Sequence, residues 1–158
     1  MKSLLLNLTL ACIWLFLSST PSLSSFFLGF LLGFILLVLF RPVFDSASYV
    51  RRCFGLVTFL VVFTREFVLA NFMVARVVLF RSNESVHPNF ITYDITGLKS
   101  FEILLLSYCI SLTPGTTTVD ISEDFNTLVF HALDADSPQD VRAHIDQTLR
   151  PAILKFTR

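Results

Sequence analysis

Charge inside strongly apolar sequence is costly, so the pair Arg65-Glu66, set in a long Val/Leu/Phe segment, is the first place to look for chemistry. Asn71 and Arg76 follow it in the same segment. One isolated ion pair provides no relay for protons or cations, so these four residues are expected to hold a partner subunit or a lipid headgroup. A second candidate is Thr113-Pro114-Gly115-Thr116 within Leu112 to Thr117, which has the small polar residues of an anion cradle. It lacks the Gly-Lys-Ser/Thr that makes a phosphate loop specific, and it reads more simply as a helix stop, a turn and a strand start. Asp134, Asp136 and Asp140 could collect a cation, yet they also form a solvated loop leading to a helix cap. Cys12, Cys53 and Cys109 lie far apart with no C-x-x-C spacing, and His87, His131 and His144 have no i, i+4 partner. No metal site, cofactor or catalytic residue is expected.

The elements that position these residues fall into two unlike halves. Of the 158 residues 54% are apolar and only 15% charged, with a mean hydropathy of +0.71. Residues 1–81 hold seven Lys/Arg, two Asp/Glu and thirteen of the eighteen Phe, whereas 82–158 hold five, ten and five. The zero net charge therefore hides a basic membrane region, 1–81, and an acidic α+β domain, 82–158. Such a balance excludes a nucleic-acid binder, and the odd, scattered cysteines exclude a disulfide scaffold.

Thirty-eight consecutive residues, 3–40, carry no charge. They divide at Ser18-Ser19-Thr20-Pro21-Ser22 into two apolar runs, at about 3–18 and 23–40, each near the short limit for crossing a hydrocarbon core of roughly 30 Å. The expectation is a helical hairpin with Pro21 at its tip. Gly29 and Gly33, four apart, would let helices approach closely, within the hairpin or against another subunit. The first run also resembles a secretory signal peptide, but the second would still anchor the chain. Lys2 before the hairpin and Arg41, Arg51 and Arg52 after it put both ends in the cytoplasm by the positive-inside rule.

The third helix, about 49–80, is either interfacial or a third transmembrane span. At 100° per residue Arg51, Thr58, Arg65 and Arg76 fall within about 40° of one another, a basic stripe suited to a helix lying among headgroups. Spanning would place Arg65 near the midplane at about 2.5–3.5 kcal/mol. Two spans are the preferred reading and three the alternative.

In the acidic half, Asn83-Glu84 and His87-Pro88-Asn89 punctuate the chain before a strand at 90–95, a buried helix at 98–112, and strands at 116–121 and 125–133. Leu128, Phe130 and Ala132 share one face of the last. Ser137-Pro138-Gln139-Asp140 starts a final helix whose Val141, Ile145, Leu149, Ala152, Ile153 and Phe156 form an apolar side, with a kink expected at Pro151. The fold expected overall is a membrane α-helical hairpin plus an interfacial or third transmembrane helix, followed by a small β-α-β-β-α cytoplasmic domain.

Several short motifs in order along the chain carry a resemblance: Leu10-Ala11, Trp14 and Phe16-Leu17-Ser18; Phe40-Arg41; Arg65-Glu66 and Leu69-Ala70-Asn71; Leu106-Ser107; Ser111 to Thr116; Val119-Asp120-Ile121-Ser122; and His131-Ala132-Leu133-Asp134. Over about 150 residues they resemble the E subunit of the Mrp (Mnh) multisubunit Na⁺/H⁺ antiporter. Family members usually have lysine where Arg65 stands and an aliphatic residue near Thr117 or Thr118. The resemblance implies a non-catalytic accessory subunit of a bacterial inner-membrane hetero-oligomer, driven by the proton gradient, whose ion pathways lie in larger subunits. It would be multi-pass, with its C-terminal domain cytoplasmic and with other antiporter subunits and membrane lipid as partners. An equivalent subunit of a membrane-bound hydrogenase-type complex and a stand-alone membrane-tethered binding module are the alternatives.

Overall fold

The computed structural model describes residues 2–82, 85–135 and 137–158; Asn83, Glu84 and Asp136, named above as turn or loop residues, lie outside them. Two compact units result, Met1–Phe54 and Gly55–Arg158. The sequence places the change of composition at 81; the compact units divide earlier, inside the third long helix.

In the first unit, α1 (Lys2–Leu17) and α2 (Leu23–Leu39) form the expected hairpin. Ser22 caps α2 by accepting a hydrogen bond from the Ser25 amide, which uses one of the four amides every helix start leaves without a partner. Ser3, Asn7 and Ala11 on α1 and Gly29, Gly33 and Leu37 on α2 are buried at four-residue spacing. Only small residues permit this approach: a methyl group added at Gly29 would lie 2.7 Å from Trp14 Cβ, and one at Gly33 would collide with Asn7 Oδ1. Asn7 also donates to the Tyr49 hydroxyl at 3.0 Å. A single turn, α3 (Arg41–Phe44), then redirects the chain through the left-handed Asp45, and the buried Ser46 hydroxyl donates to the last-turn carbonyl of Leu37.

Helix α4 (Ala47–Phe80) runs 34 residues, about 51 Å at 1.5 Å per residue. By length and composition it is the one helix among the described residues able to cross a bilayer. The hairpin helices have 16 and 17 residues.

The second unit continues with β1 (Asn89–Asp94), α5 (Ser100–Leu112), β2 (Thr116–Ile121), β3 (Thr127–Ala132), α6 (Pro138–Gln147) and α7 (Leu149–Thr157). The sheet is antiparallel in the order β1-β3-β2, with Ile91 opposite Phe130 and Tyr93 opposite Leu128. Strand alternation puts Ile91, Tyr93, Leu128, Phe130 and Ala132 on the buried face, the face read from the sequence for β3. Helices α5 and α7 cover it with Ile103, Leu106, Ile110, Ala152 and Ile153. Phe90 and Val119 are exposed.

One expected feature moves. The C-terminal helix breaks at Thr148, three residues before Pro151. Thr148 turns its hydroxyl back to the His144 carbonyl, and Pro151 then falls in the first turn of α7, where its missing N–H has no intrahelical acceptor to lose.

Candidate functional site

The face of α4 that carries Phe59, Val62, Phe63, Glu66, Ala70, Met73, Val74 and Val77 is turned toward the α/β elements. Its N-terminal end is fixed by a close approach: a Cβ at Gly55 would lie 2.5 Å from the carbonyl oxygen of Lys155 in α7. One turn on, Phe59 stacks between Phe63 and Phe156, with ring centroids 6.2 Å apart in each case. The phenyl groups are worth their buried area plus about 0.5–1.5 kcal/mol per pair.

Beyond these rings α4 stands off from the domain, and a cavity of about 610 Å³ opens between them. One wall is Leu69, Ala70, Met73, Val74 and Val77; the other is Ile110, Phe130, Ala132, Leu133 and Leu149. Glu66 and His144 bound it, as do Thr113 to Thr116, Asp134 and Asp140. Three groups of residues separated by up to 74 positions in the sequence, Glu66, the Thr113 loop and the acidic loop, therefore line one space.

Glu66 is 7% exposed, and its Oε2 lies 2.6 Å from Nε2 of His144. Arg65 Nη1 reaches Oε1 only at 3.4 Å, and the arginine side chain is 67% exposed. Adjacent residues on a helix point about 100° apart, so Arg65 and Glu66 leave α4 in different directions. The pair read from the sequence is divided: the carboxylate faces the domain and the guanidinium faces outward. At the other end Arg81 pairs with Asp134 and donates to the Ser85 carbonyl. The Asp134 carboxylate also accepts from the His87 amide at 3.2 Å.

The Thr113 loop is used for folding. Thr113 Oγ1 donates to the Cys109 carbonyl at 2.7 Å, and Thr116 Oγ1 donates to the Ile110 carbonyl at 2.6 Å, so both hydroxyls are spent on the end of α5. Gly115 has φ +87°, and a Cβ there would lie 3.0 Å from Val74 of α4. The loop thus forms part of the cavity wall. Asn71 donates to the Phe67 carbonyl of its own helix at 2.8 Å and is exposed, as is Arg76. Gly29 and Gly33 are turned toward α1 of the same chain, where their close packing is used inside the hairpin.

Two polar clusters in the domain had no sequence signal. Buried Glu102 accepts from the Lys99 amide at 2.8 Å, from the Thr157 hydroxyl at 2.7 Å, and from Arg158 Nε at 3.1 Å and Nη2 at 2.9 Å. The Arg158 guanidinium holds the carboxyl down at about 2 despite its burial. The Tyr93 hydroxyl donates to Asp146 at 2.5 Å and accepts from Arg150 at 3.3 Å; burial, then the bond to Asp146, push its pKa up to about 12. The first ties α5 to the end of α7, and the second ties α6 and α7 to β1. Burial also raises the Cys109 thiol to about 11, which makes it inert at neutral pH. His144 carries no mark in the sequence because its partner lies 78 residues away.

A family profile described as a Na⁺/H⁺ ion antiporter subunit matches residues 7–156. The chain is similar to the E subunit of the Na(+)/H(+) antiporter of Bacillus subtilis (strain 168), 34% identical over 155 residues and covering 98% of each chain. It is also similar to the E1 subunit of the Na(+)/H(+) antiporter of Staphylococcus epidermidis, 30% identical over 150 residues with 95% of this chain and 94% of the relative covered. In fold it resembles a chain of the Mrp complex from Dietzia sp. DQ12-45-1b, with TM-score 0.50 and 24% identity over 65% of this chain and 96% of that one. It also resembles a chain of the membrane-bound sulfane sulfur reductase, an archaeal respiratory membrane complex, with TM-score 0.54 and 22% identity over 96% and 99%.

Proposed function

This chain belongs to the E-subunit family of Na⁺/H⁺ ion antiporters, and on that premise we propose that it is a non-catalytic accessory component that holds a multisubunit cation/proton antiporter together in the bacterial inner membrane. The observation that carries the reading is the hairpin: residues 3–40 contain no ionisable acid or base apart from Cys12, and ion transport across a bilayer needs several such groups near the midplane. What the hairpin offers instead is exposed Leu, Ile and Phe side chains, which suit lipid and neighbouring subunits.

The membrane region in this reading is 1–81. The hairpin spans twice with both ends cytoplasmic, and α4 lies in the cytoplasmic headgroup layer. Support for the interfacial placement comes from the domain footprint on α4. It extends from Gly55 to Val77, about 33 Å at 1.5 Å per residue, so a spanning α4 would carry the Thr113 to Thr116 turn and Asp134 into hydrocarbon. Opposite that footprint, Leu60, Val61, Val68, Phe72 and Leu79 are exposed. Arg65 and Arg76 fall on the border between the two faces, where arginines of an interfacial helix meet phosphates. The α/β domain then faces the cytoplasm.

Two assays test this. Deleting the chain should disperse the complex on native gels and abolish antiport in everted vesicles; an intact, active complex without it would end the accessory reading. In a cysteine-free chain, an impermeant maleimide applied to whole cells should label Ser19→Cys at the hairpin tip and leave Ser122→Cys unlabelled until the cells are opened. Labelling of Ser122→Cys from outside would reverse the topology and favour three spans.

A further inference from the structure

We propose that the cavity between α4 and the α/β elements holds one acyl chain of a membrane phospholipid whose phosphate sits against Arg65 and Arg76. The proposal rests on the interfacial placement of α4 given above.

Size and lining come first. About 610 Å³ lies within the range of ligand-binding sites and far above the small voids that packed interiors keep. A helix 10–12 Å across would fit for only about one turn, whereas a flexible acyl chain can follow the space. The walls present Ala70, Met73 and Val77 on one side and Ala132, Leu133 and Leu149 on the other. Of the carboxylates that line the cavity, Glu66 is hydrogen-bonded to His144, Asp134 is paired with Arg81, and Asp140 is exposed. An apolar interior whose deeper carboxylates already have partners suits a neutral tail better than a polar or ionic ligand.

The entrance identifies where the tail comes from. Leu69 and Met73 line the cavity and yet are 49% and 53% exposed, so the mouth lies along their edge of α4. Leu69 also belongs to an open groove on the outer face, formed with Leu60, Val61, Thr64, Arg65 and Val68. The apolar path from the outer surface to the cavity is therefore continuous through one residue. At 100° per residue Arg65 and Arg76 lie within about 20° of each other on that same edge, eleven residues and about 16 Å apart, with Leu69 and Met73 between them. Cations flanking an apolar mouth are the arrangement a phospholipid satisfies, the phosphate at the arginines and one tail turned inward.

The test uses the full chain in vesicles of phosphatidylglycerol and phosphatidylcholine, doped with a phosphatidylglycerol that carries a diazirine midway along one acyl chain. After irradiation and digestion, adducts should map to Leu133, Ile145 or Leu149 as well as to Val68 and Phe72 on the outer face. Ala70→Phe, which fills the cavity, should reduce the domain adducts at least tenfold and leave the outer ones. Arg65→Gln with Arg76→Gln, which leaves packing alone, should reduce the domain adducts several-fold. Absence of domain adducts in the wild-type chain, or their persistence in Ala70→Phe, overturns the proposal while the outer adducts keep the interfacial reading intact. Unchanged yield in the double arginine variant overturns the headgroup assignment. Absence of adducts at Val68 and Phe72 as well brings down the interfacial reading with it.

Discussion

Replacing Glu102 by Gln should make the stability of the α/β domain lose one specific component of its pH dependence. The carboxylate is fully buried and accepts four hydrogen bonds, two of them from the Arg158 guanidinium, which together hold its pKa at about 2 against an ordinary 4.5. A folded pKa below the unfolded one means stability that is complete above pH 4.5 and is lost as pH falls toward 2. At about 1.36 kcal/mol per unit the ceiling is about 3.4 kcal/mol, and screening at the half-exposed Arg158 brings the expectation to about 2 kcal/mol. Glutamine mimics the protonated acid, so the wild-type chain should exceed Glu102→Gln by about 2 kcal/mol at pH 7, with the gap narrowing by roughly half near pH 3. Asp94 and Asp124 also titrate low, held by bonds from Thr96 and from Ser122 and Asn126, but they are present in both proteins and cancel in the comparison. Hydrogen exchange of the β1 and β3 amides in the detergent-solubilised full chain, corrected for intrinsic exchange, reads the gap as about a 30-fold difference in protection at pH 7. A gap that stays constant from pH 7 to pH 2.5 would refute the reasoning, because it would mean that the substitution acts through packing and not through the charge.

Other substitutions test other parts of the structure. Gly115→Ala should cost about 1–2 kcal/mol in the same exchange measurement, since alanine must adopt φ +87° and press on Val74. His144→Ala removes the close partner of a buried carboxylate and should cost about 1.5–3 kcal/mol, whereas adding Glu66→Gln to it should restore most of that loss. Gly33→Ala should loosen the hairpin by about 1–3 kcal/mol, seen as a lower midpoint for thermal unfolding in detergent; an unchanged midpoint would mean that Asn7 moves aside freely.

Much of the local structure is legible in the sequence because its causes are local. The helix stop at Pro114-Gly115, the Ser137-Pro138 start and the alternation in β3 each depend on neighbours within a few residues. Where expectation and structure part, a second local effect competes. Proline chemistry points to a break at Pro151, yet Thr148 ends α6 first by bonding its own helix, and proline is then tolerated in the new first turn. The candidate site is legible only in pieces. Arg65-Glu66, Thr113 to Thr116 and Asp134 with Asp140 all stand out as unusual residues, but nothing in their spacing says that Glu66, the threonine loop and the acidic loop border one cavity while Arg65 turns away.

The sequence by itself determined the helical hairpin, the order of the main helices and strands, and the family. Those follow from hydropathy, short-range periodicity and ordered motifs, all of which are properties of a linear string. Tertiary structure alone decided that Glu66 meets His144, that Glu102 meets Arg158, and that Glu66 faces the domain while Arg65 faces outward. The reason is physical: partners 56 to 78 residues apart are set by how sheet, helices and the long α4 pack together, and that packing minimises exposed apolar area over the whole unit without leaving a mark at either partner.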